Sequence, residues 1–168
     1  KQEEKEVIYK AIREYAAYAK NIFIIEGAGE VGAKQIRETT EKHISITGRR
    51  PVVIIDYLQI LSPYNERYTD KQNMDKVILE LKRISRDHKL PVIAISSFNR
   101  TSYKGEVKEE AFKESGTIEY SSDILIGLQV KGADKDINIT EEKKKNPRDI
   151  ELVILKNRNG ATGITLLY

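Results

Sequence analysis

The sequence has 168 residues, of which 39% are apolar, and this is enough for one globular domain with a single core. Its 29 basic and 26 acidic residues leave a net charge of only +3, so any binding of nucleic acid has to come from local loops rather than from overall charge. Cysteine is absent, which excludes disulfides and thiolate metal sites, and no apolar run approaches the roughly 20 residues that span a bilayer.

The first fifty residues predict a helix, a short strand and a second helix. The chain starts at Lys1 and its only methionine is Met74, so we interpret it as part of a longer protein, which we expect to be cytoplasmic and to have no membrane contact. Residues 7–20 show the apolar spacing of an amphipathic helix, and residues 22–25 predict a short buried strand. A second helix follows the glycine-containing turn at 27–32.

Residues 51–56 predict the central strand of the sheet. Four consecutive apolar residues lead directly into Asp56, and such a run is typical of a parallel strand that is covered on both faces. With the strand at 22–25 and the helix between them, it predicts one right-handed βαβ unit. Ligands bind at the carboxyl ends of parallel strands, so Asp56 is a candidate magnesium ligand beside phosphate groups. The alternative is that Asp56 only closes a turn.

The remaining elements alternate helices and strands and end in a hairpin. They are predicted, in order, as a helix at 74–88, a strand at 92–97, a helical turn near 115–122, a strand at 124–128 and two hairpin strands at 150–155 and 163–167. Residues 131–149 are almost free of apolar side chains and predict a solvated excursion. This order predicts one α/β domain with three layers, a mostly parallel sheet and a C-terminal antiparallel hairpin.

The glycines at positions 27, 29 and 32 allow a different function. Their spacing matches the dinucleotide fingerprint of a Rossmann enzyme that binds NAD or NADP, and Asp56 ends the next strand, where a ribose-binding acid belongs. The same segment fails as a phosphate loop because Ala33 stands in place of the required lysine. The alternative is a flexible turn before a helix.

Four segments together resemble the motor domain of the replicative DNA helicase (DnaB) family. They are residues 53–61, residues 91–100, residues 114–119 and the Lys-x-Arg-Asn-Gly motif at residues 156–160. The resemblance implies a RecA-like (P-loop NTPase) core that assembles into a homo-hexameric ring, hydrolyses ATP with Mg²⁺ and moves 5′ to 3′ along single-stranded DNA. It also implies that the phosphate loop (Walker A) and the acid that activates water lie upstream, so this chain alone is expected to be inactive.

The resemblance assigns roles to individual residues of the nucleotide site. Asp56 corresponds to the Walker B aspartate, which orients magnesium. Gln59 and Ser97 take the positions near the terminal phosphate, with a serine where the family usually carries a glutamine, and Asn99 or Arg100 takes a share of that contact. Lys156 and Arg158, which share one face of a strand, become catalytic cations supplied to the neighbouring subunit. The alternative for this pair is a basic edge strand that prevents aggregation.

The resemblance also predicts which loops contact DNA. In RecA-like rings the loops after these strands line the central channel, and their basic residues here are Arg67, Lys71, Lys104, Lys108 and Lys113. Interleaved glutamates make an ordinary solvated loop an equal alternative for each lysine. The implied partners are single-stranded DNA, other copies of the chain, and a primase or a helicase loader. A third possibility is a RecA-like module that binds DNA without hydrolysing nucleotide.

Overall fold

A computed structural model describes residues 2–27, 30–97, 116–133, 137–142 and 144–167. Its helices are α1 (Gln2–Tyr18), α2 (Ala33–Thr47), α3 (Asp70–His88), α4 (Gly116–Ser121) and α5 (Ile139–Glu142). Its strands are β1 (Val53–Ile55), β2 (Val92–Ala94), β3 (Ile124–Val130), β4 (Ile150–Asn157) and β5 (Gly163–Leu167). Short 3₁₀ turns follow α1 at Ala19–Asn21 and β1 at Leu58–Ile60.

The first structural unit is β1–α3–β2, a parallel pair of strands joined by a helix. Val53 lies opposite Val92, and Ile55 lies opposite Ala94. The helix packs its apolar face onto one side of the pair, and Ile84 is fully buried. The buried residues of this core are Ala33, Ile55, Leu58, Val77, Leu81, Ile84 and Leu90. The core is therefore formed by α3, the inner face of the two strands and the apolar side of α2.

The second unit is an antiparallel sheet in the order β3–β4–β5. Residues of β3 alternate between buried and exposed, as expected for a sheet with one covered face. On the covered face the buried Gln129 donates a hydrogen bond of 3.0 Å to the buried Glu151. Ile118 of α4 packs against both apolar clusters and so joins the two units. The predicted α/β class is confirmed, with an antiparallel part that includes β3 as well as the predicted hairpin.

The prediction of a buried strand at residues 22–25 is wrong. This segment is not a strand, and its four side chains are exposed, with Ile24 at 84%. The predicted βαβ unit that began with it is therefore wrong too, and the unit that forms is β1–α3–β2. An apolar run becomes a buried strand only where a neighbouring strand pairs with its backbone and a second layer covers its side chains.

Coverage of the central strand also differs from the prediction. Ile55 is buried against α3, whereas Ile54 on the opposite face is 65% exposed. Nothing in the described part of the chain covers that face, so β1 is covered on one side instead of two. Helix α1 behaves similarly, since it contains no buried residue. No helix among the described residues has the length and apolar character needed to cross a bilayer.

Candidate functional site

Asp56 is exposed at the carboxyl end of β1, where the chain turns into the short 3₁₀ segment. The peptide bond between Asp56 and Tyr57 is cis. Leu58 anchors the 3₁₀ segment, because its side chain is buried and its backbone N donates to the carbonyl of Ile95 at 2.9 Å. The strand and its anchored turn thus deliver a carboxylate to the edge at which ligands of parallel sheets bind.

Gln59 connects this edge to the end of the neighbouring strand. Its amide nitrogen donates to the hydroxyl of Ser96 at 2.9 Å, and its amide oxygen accepts from the backbone N of Ser97 at 3.3 Å. Two residues that the sequence assigned to one site therefore lie together at the ends of β1 and β2. Asn99 and Arg100, assigned to the same site, lie outside the described residues.

The oxygen ligands at this edge are compatible with Mg²⁺ in a phosphate complex. Magnesium usually takes one or two carboxylates, several waters and phosphate oxygens from its substrate, rather than a cage made of protein alone. One exposed carboxylate at a strand end meets that requirement. No cluster of three or more acidic, histidine or cysteine side chains that could form a protein cage occurs within the described ranges.

The glycine-containing turn before α2 lacks the context of a dinucleotide site. That fingerprint requires a strand immediately before the first glycine, and residues 22–25 do not form one. The backbone N of Gly32 donates to the side chain of Gln35 at 3.1 Å, so the helix start is capped by its own residue. The carbonyl of Val31 accepts from the backbone N of Ser62 at 3.0 Å, which ties the turn to the loop after β1.

A β-bulge determines where Lys156 points. Leu125 pairs with Lys156, whereas the next residue of β3 pairs with Ile154, so Leu155 is an extra residue in β4. Residues directly opposite each other share a face, and the bulge therefore moves Lys156 to the face of the buried Leu125. There its ammonium donates to the carbonyl of Glu119 in α4 at 2.6 Å.

Arg158 is held by Asp123, the residue that precedes β3. The prediction placed Arg158 within the strand, but β4 ends one residue earlier at Asn157. Its backbone N donates to the carbonyl of Asp123 at 2.9 Å, and its guanidinium Nη1 lies 2.8 Å from Asp123 Oδ1. The other carboxylate oxygen lies 2.5 Å from the ammonium of Lys82 in α3. A hydrogen bond from Lys82, assisted by the charges of Arg158 and Lys156, lowers the pKa of Asp123.

The predicted DNA-binding residues Arg67 and Lys71 are both exposed, Arg67 in the loop before α3 and Lys71 in the first turn of α3 rather than in the predicted loop. Asn73, which is only 9% exposed, orders this loop. Its side-chain oxygen accepts from the backbone N of Asn65 at 2.9 Å, and its amide nitrogen donates to the carbonyl of Tyr68 at 3.2 Å. The other predicted DNA contacts, Lys104, Lys108 and Lys113, lie outside the described residues.

Sequence reasoning missed Lys82, Asp123 and Asn73. A signal for Asn73 exists, because it lies four residues before Val77 on the apolar face of α3, where a polar side chain needs partners. The sequence gives no comparable signal for Lys82 and Asp123. They are 41 residues apart and meet only through the packing of α3 against α4.

Comparison with known proteins identifies the family. The model of the DnaB-like helicase C terminal domain family matches residues 1–168. The chain belongs to this family. A replicative DNA helicase DnaB of Mycoplasma genitalium is 26% identical over 93% of this chain and 34% of its own length. A replicative DNA helicase DnaC of Bacillus subtilis is 31% identical over 69% of this chain and 25% of its own length.

Solved structures agree with the DnaB-family assignment. A DnaB-like replicative helicase, described with its interactions with primase, has a TM-score of 0.71 and 26% identity, and the match covers 87% of this chain and 34% of that one. A second solved structure, an ATPase domain, has a TM-score of 0.69 and shares the fold at 24% identity, over 82% of this chain and 48% of that one. The chain spans about a quarter to a third of the length of the helicases it matches. The family match, together with the absence of a strand at residues 22–25, rules out the interpretation as a Rossmann enzyme.

Proposed function

We propose that this chain is part of the ATP-hydrolysing motor of a replicative DNA helicase, which assembles as a homo-hexamer and moves 5′ to 3′ along single-stranded DNA. The observation that carries the proposal is the carboxylate of Asp56 at the end of a parallel strand, beside the hydrogen-bonded pair Gln59 and Ser97. Membership in the DnaB-like family supports the same reaction class.

In this proposal Asp56 would hold magnesium through its water shell, and the ion would supply neutralisation of phosphate charge in bound ATP. Gln59 and Ser97 lie beside the terminal phosphate. Because Gln59 bonds to both Ser96 and the backbone of Ser97, a shift at the end of one strand moves the end of the other. Asn99 and Arg100 follow directly in the chain and share the phosphate contact. The Walker A lysine and the acid that activates water come from the upstream part of the protein.

Arg158 acts on the γ-phosphate bound by the neighbouring subunit. Lys156 acts beside it once its ammonium leaves the carbonyl of Glu119, to which it donates in this structure. The side chain of Arg158 is 53% exposed, and one of its guanidinium nitrogens contacts Asp123, which leaves other donors directed to solvent. A guanidinium supplied in trans stabilises the charge that develops in phosphoryl transfer and contributes roughly 10³ to 10⁵ in rate. This corresponds to about 4 to 7 kcal/mol of the activation barrier.

Two exposed basic residues, Arg67 in the loop before α3 and Lys71 in the first turn of α3, contact DNA phosphates together with Lys104, Lys108 and Lys113. Basic side chains on phosphates fix the position of the strand without reading its sequence, as a motor that moves along any DNA requires. We further propose a primase or a helicase loader as a partner, since a related helicase is described with its interactions with primase.

The direct test measures DNA-stimulated ATP hydrolysis by the full-length protein and its Asp56→Asn variant. We expect turnover to fall roughly 10²-fold or more, because a metal ion supplies several kcal/mol to the transition state. Asp149→Asn is the matched control, since Asp149 is an exposed acid whose carboxylate lies 3.9 Å from Lys131. Full turnover by Asp56→Asn would refute the assignment. A wild-type protein that binds DNA without hydrolysing ATP would favour the inactive module.

A further inference from the structure

Asp123 contacts Arg158 at both ends of the residue. The carbonyl of Asp123 accepts from the backbone N of Arg158 at 2.9 Å, and its carboxylate lies 2.8 Å from the guanidinium. The backbone contact fixes where the side chain starts, and the carboxylate fixes where it ends. An arginine with neither contact samples many rotamers, and this conformational freedom has to be lost each time the side chain is ordered.

We propose that Asp123 is a positioning residue for Arg158, which it holds in the orientation that reaches the phosphate of the adjacent subunit. The inference rests on the proposed role of Arg158 in trans. Asp123 acts through Arg158 and does not itself touch ATP. Its carboxylate takes one guanidinium nitrogen and leaves further donors of the planar fork for an anion outside the subunit.

Lys82 is the second part of this arrangement. Its ammonium lies 2.5 Å from the carboxylate oxygen that Arg158 does not use, so the acid is held between two cations. Lys82 belongs to α3, the helix that joins β1 to β2. Arg158 is therefore linked to the helix that connects β1 to β2, the two strands whose carboxyl ends carry the subunit's own nucleotide site.

Exposed ion pairs usually contribute little to the free energy of unfolding. Here the side chain of Asp123 is 52% exposed, so we assign it little effect on stability. Asp123 instead affects the rate through the position of Arg158, because a displacement of about 1 Å in a catalytic group can lower the rate about 10²-fold. An effect on turnover that exceeds the effect on stability is thus the signature of a positioning role.

The experiment uses full-length subunits mixed before ring assembly, with DNA-stimulated ATP turnover as the readout. Asp123→Ala alone is expected to lower kcat roughly 10-fold or more, through misplacement of Arg158, and to leave KM for ATP nearly unchanged. Asp123→Ala subunits are then mixed with Asp56→Asn subunits, whose own sites are inactive but whose Arg158 is correctly held. If Asp123 acts in trans, the mixture regains activity above the sum of its separate components.

A parallel mixture of Arg158→Ala with Asp56→Asn separates this inference from the function on which it rests. No recovery in that mixture refutes the trans role of Arg158, and the positioning role with it. Recovery there, without recovery for Asp123→Ala, overturns the positioning role alone. Asp123→Asn keeps an acceptor for the guanidinium, so we expect partial rescue, and it replaces Asp123→Ala if the alanine variant does not assemble. Asp149→Ala is the control and is expected to match wild type in every mixture.

Discussion

Arg37 illustrates how single charged residues stabilise the fold at a distance from the proposed site. Its Nε lies 2.7 Å from Glu80, its Nη2 lies 3.4 Å from Asp87, and these contacts connect α2 to α3. The Arg37 and Glu80 side chains are 24% and 15% exposed. Because this pair is partly buried, it should contribute more to stability than the exposed pairs along each helix. Removing one partner leaves the other as a charge with little access to water.

We therefore expect Arg37→Ala to lower the free energy of unfolding by about 1 to 3 kcal/mol. Lys34→Ala on the same helix is the matched control. Its ammonium lies 3.8 Å from Glu38 in an exposed i,i+4 pair, and its loss should change stability by less than about 0.5 kcal/mol. Urea titration of both variants measures the difference. Equal effects of the two substitutions would contradict the role given to Arg37.

The ion pairs of Asp123 imply a pH dependence of stability, which is small because the carboxylate is half exposed. Lys82 and then Arg158 hold its pKa below the ordinary value, so the contribution of its ion pairs is present above the unfolded pKa of about 3.9 and is lost as pH falls through the lower folded value. The Asp123→Asn variant lacks the charge of these ion pairs at neutral pH, and its amide does not titrate, so position 123 loses no further stability in acid. The difference in urea midpoint between wild type and Asp123→Asn should shrink from pH 7 to pH 3. A difference in urea midpoint that stays constant between pH 7 and pH 3 would contradict the stabilising role of these ion pairs.

At the level of elements, the sequence predicts best what local signals determine. The helix over residues 74–88 and the strand after it follow from apolar periodicity and from Pro91. The helix is confirmed within α3, and the strand forms as β2 but ends at Ala94, three residues before its predicted end. Helix α3 starts four residues earlier than predicted, at Asp70. The hydroxyl of Thr69 accepts a hydrogen bond from the backbone N of Gln72. This Thr-x-x-Gln capping box is a sequence pattern that predicts a helix start at this position.

Features that depend on tertiary partners could not be predicted. The run at residues 22–25 has the composition of a buried strand, but composition does not show whether a neighbouring strand is present. The bulge at Leu155 requires knowledge of how β4 pairs with β3, and it changes the face on which Lys156 lies. The contact of Asp123 with Lys82 depends on helix packing. The sequence thus proposes the motif residues of the candidate site, whose roles stay predictions, but it does not reveal the residues that contact them.

Asn73 provides a test at this scale. Replacement by alanine removes hydrogen bonds to the backbone of Asn65 and Tyr68 and leaves these groups without their protein partner. We expect a loss of about 1 to 3 kcal/mol and faster amide exchange in residues 65–69. Lys76→Ala, at an exposed position of the same helix, is the control. Unchanged exchange in the loop would show that Asn73 does not order it.

At the scale of the whole molecule, the described residues leave large apolar surfaces uncovered. The outer face of the parallel pair exposes Ile54 and Ile93, and residues 22–25 are exposed beside α1. Soluble proteins rarely leave such surfaces open to water. We therefore expect another protein surface, outside the described residues, to cover these faces.

The isolated 168-residue chain should therefore bind a hydrophobic dye and self-associate. Ile54→Thr should weaken dye binding because it interrupts the exposed apolar face. Leu79→Thr is the control, since Leu79 is an exposed leucine on α3. Dye fluorescence and sedimentation measure both effects. A monomeric chain without dye binding would show that these surfaces are already protected.

ATP turnover by the full-length protein carrying Arg158→Ala, measured on assembled rings with single-stranded DNA present, tests the central claim most directly. The account predicts intact rings and a fall of roughly 10³-fold or more in turnover, because the neighbouring γ-phosphate loses its guanidinium. Wild-type turnover by intact Arg158→Ala rings would contradict it.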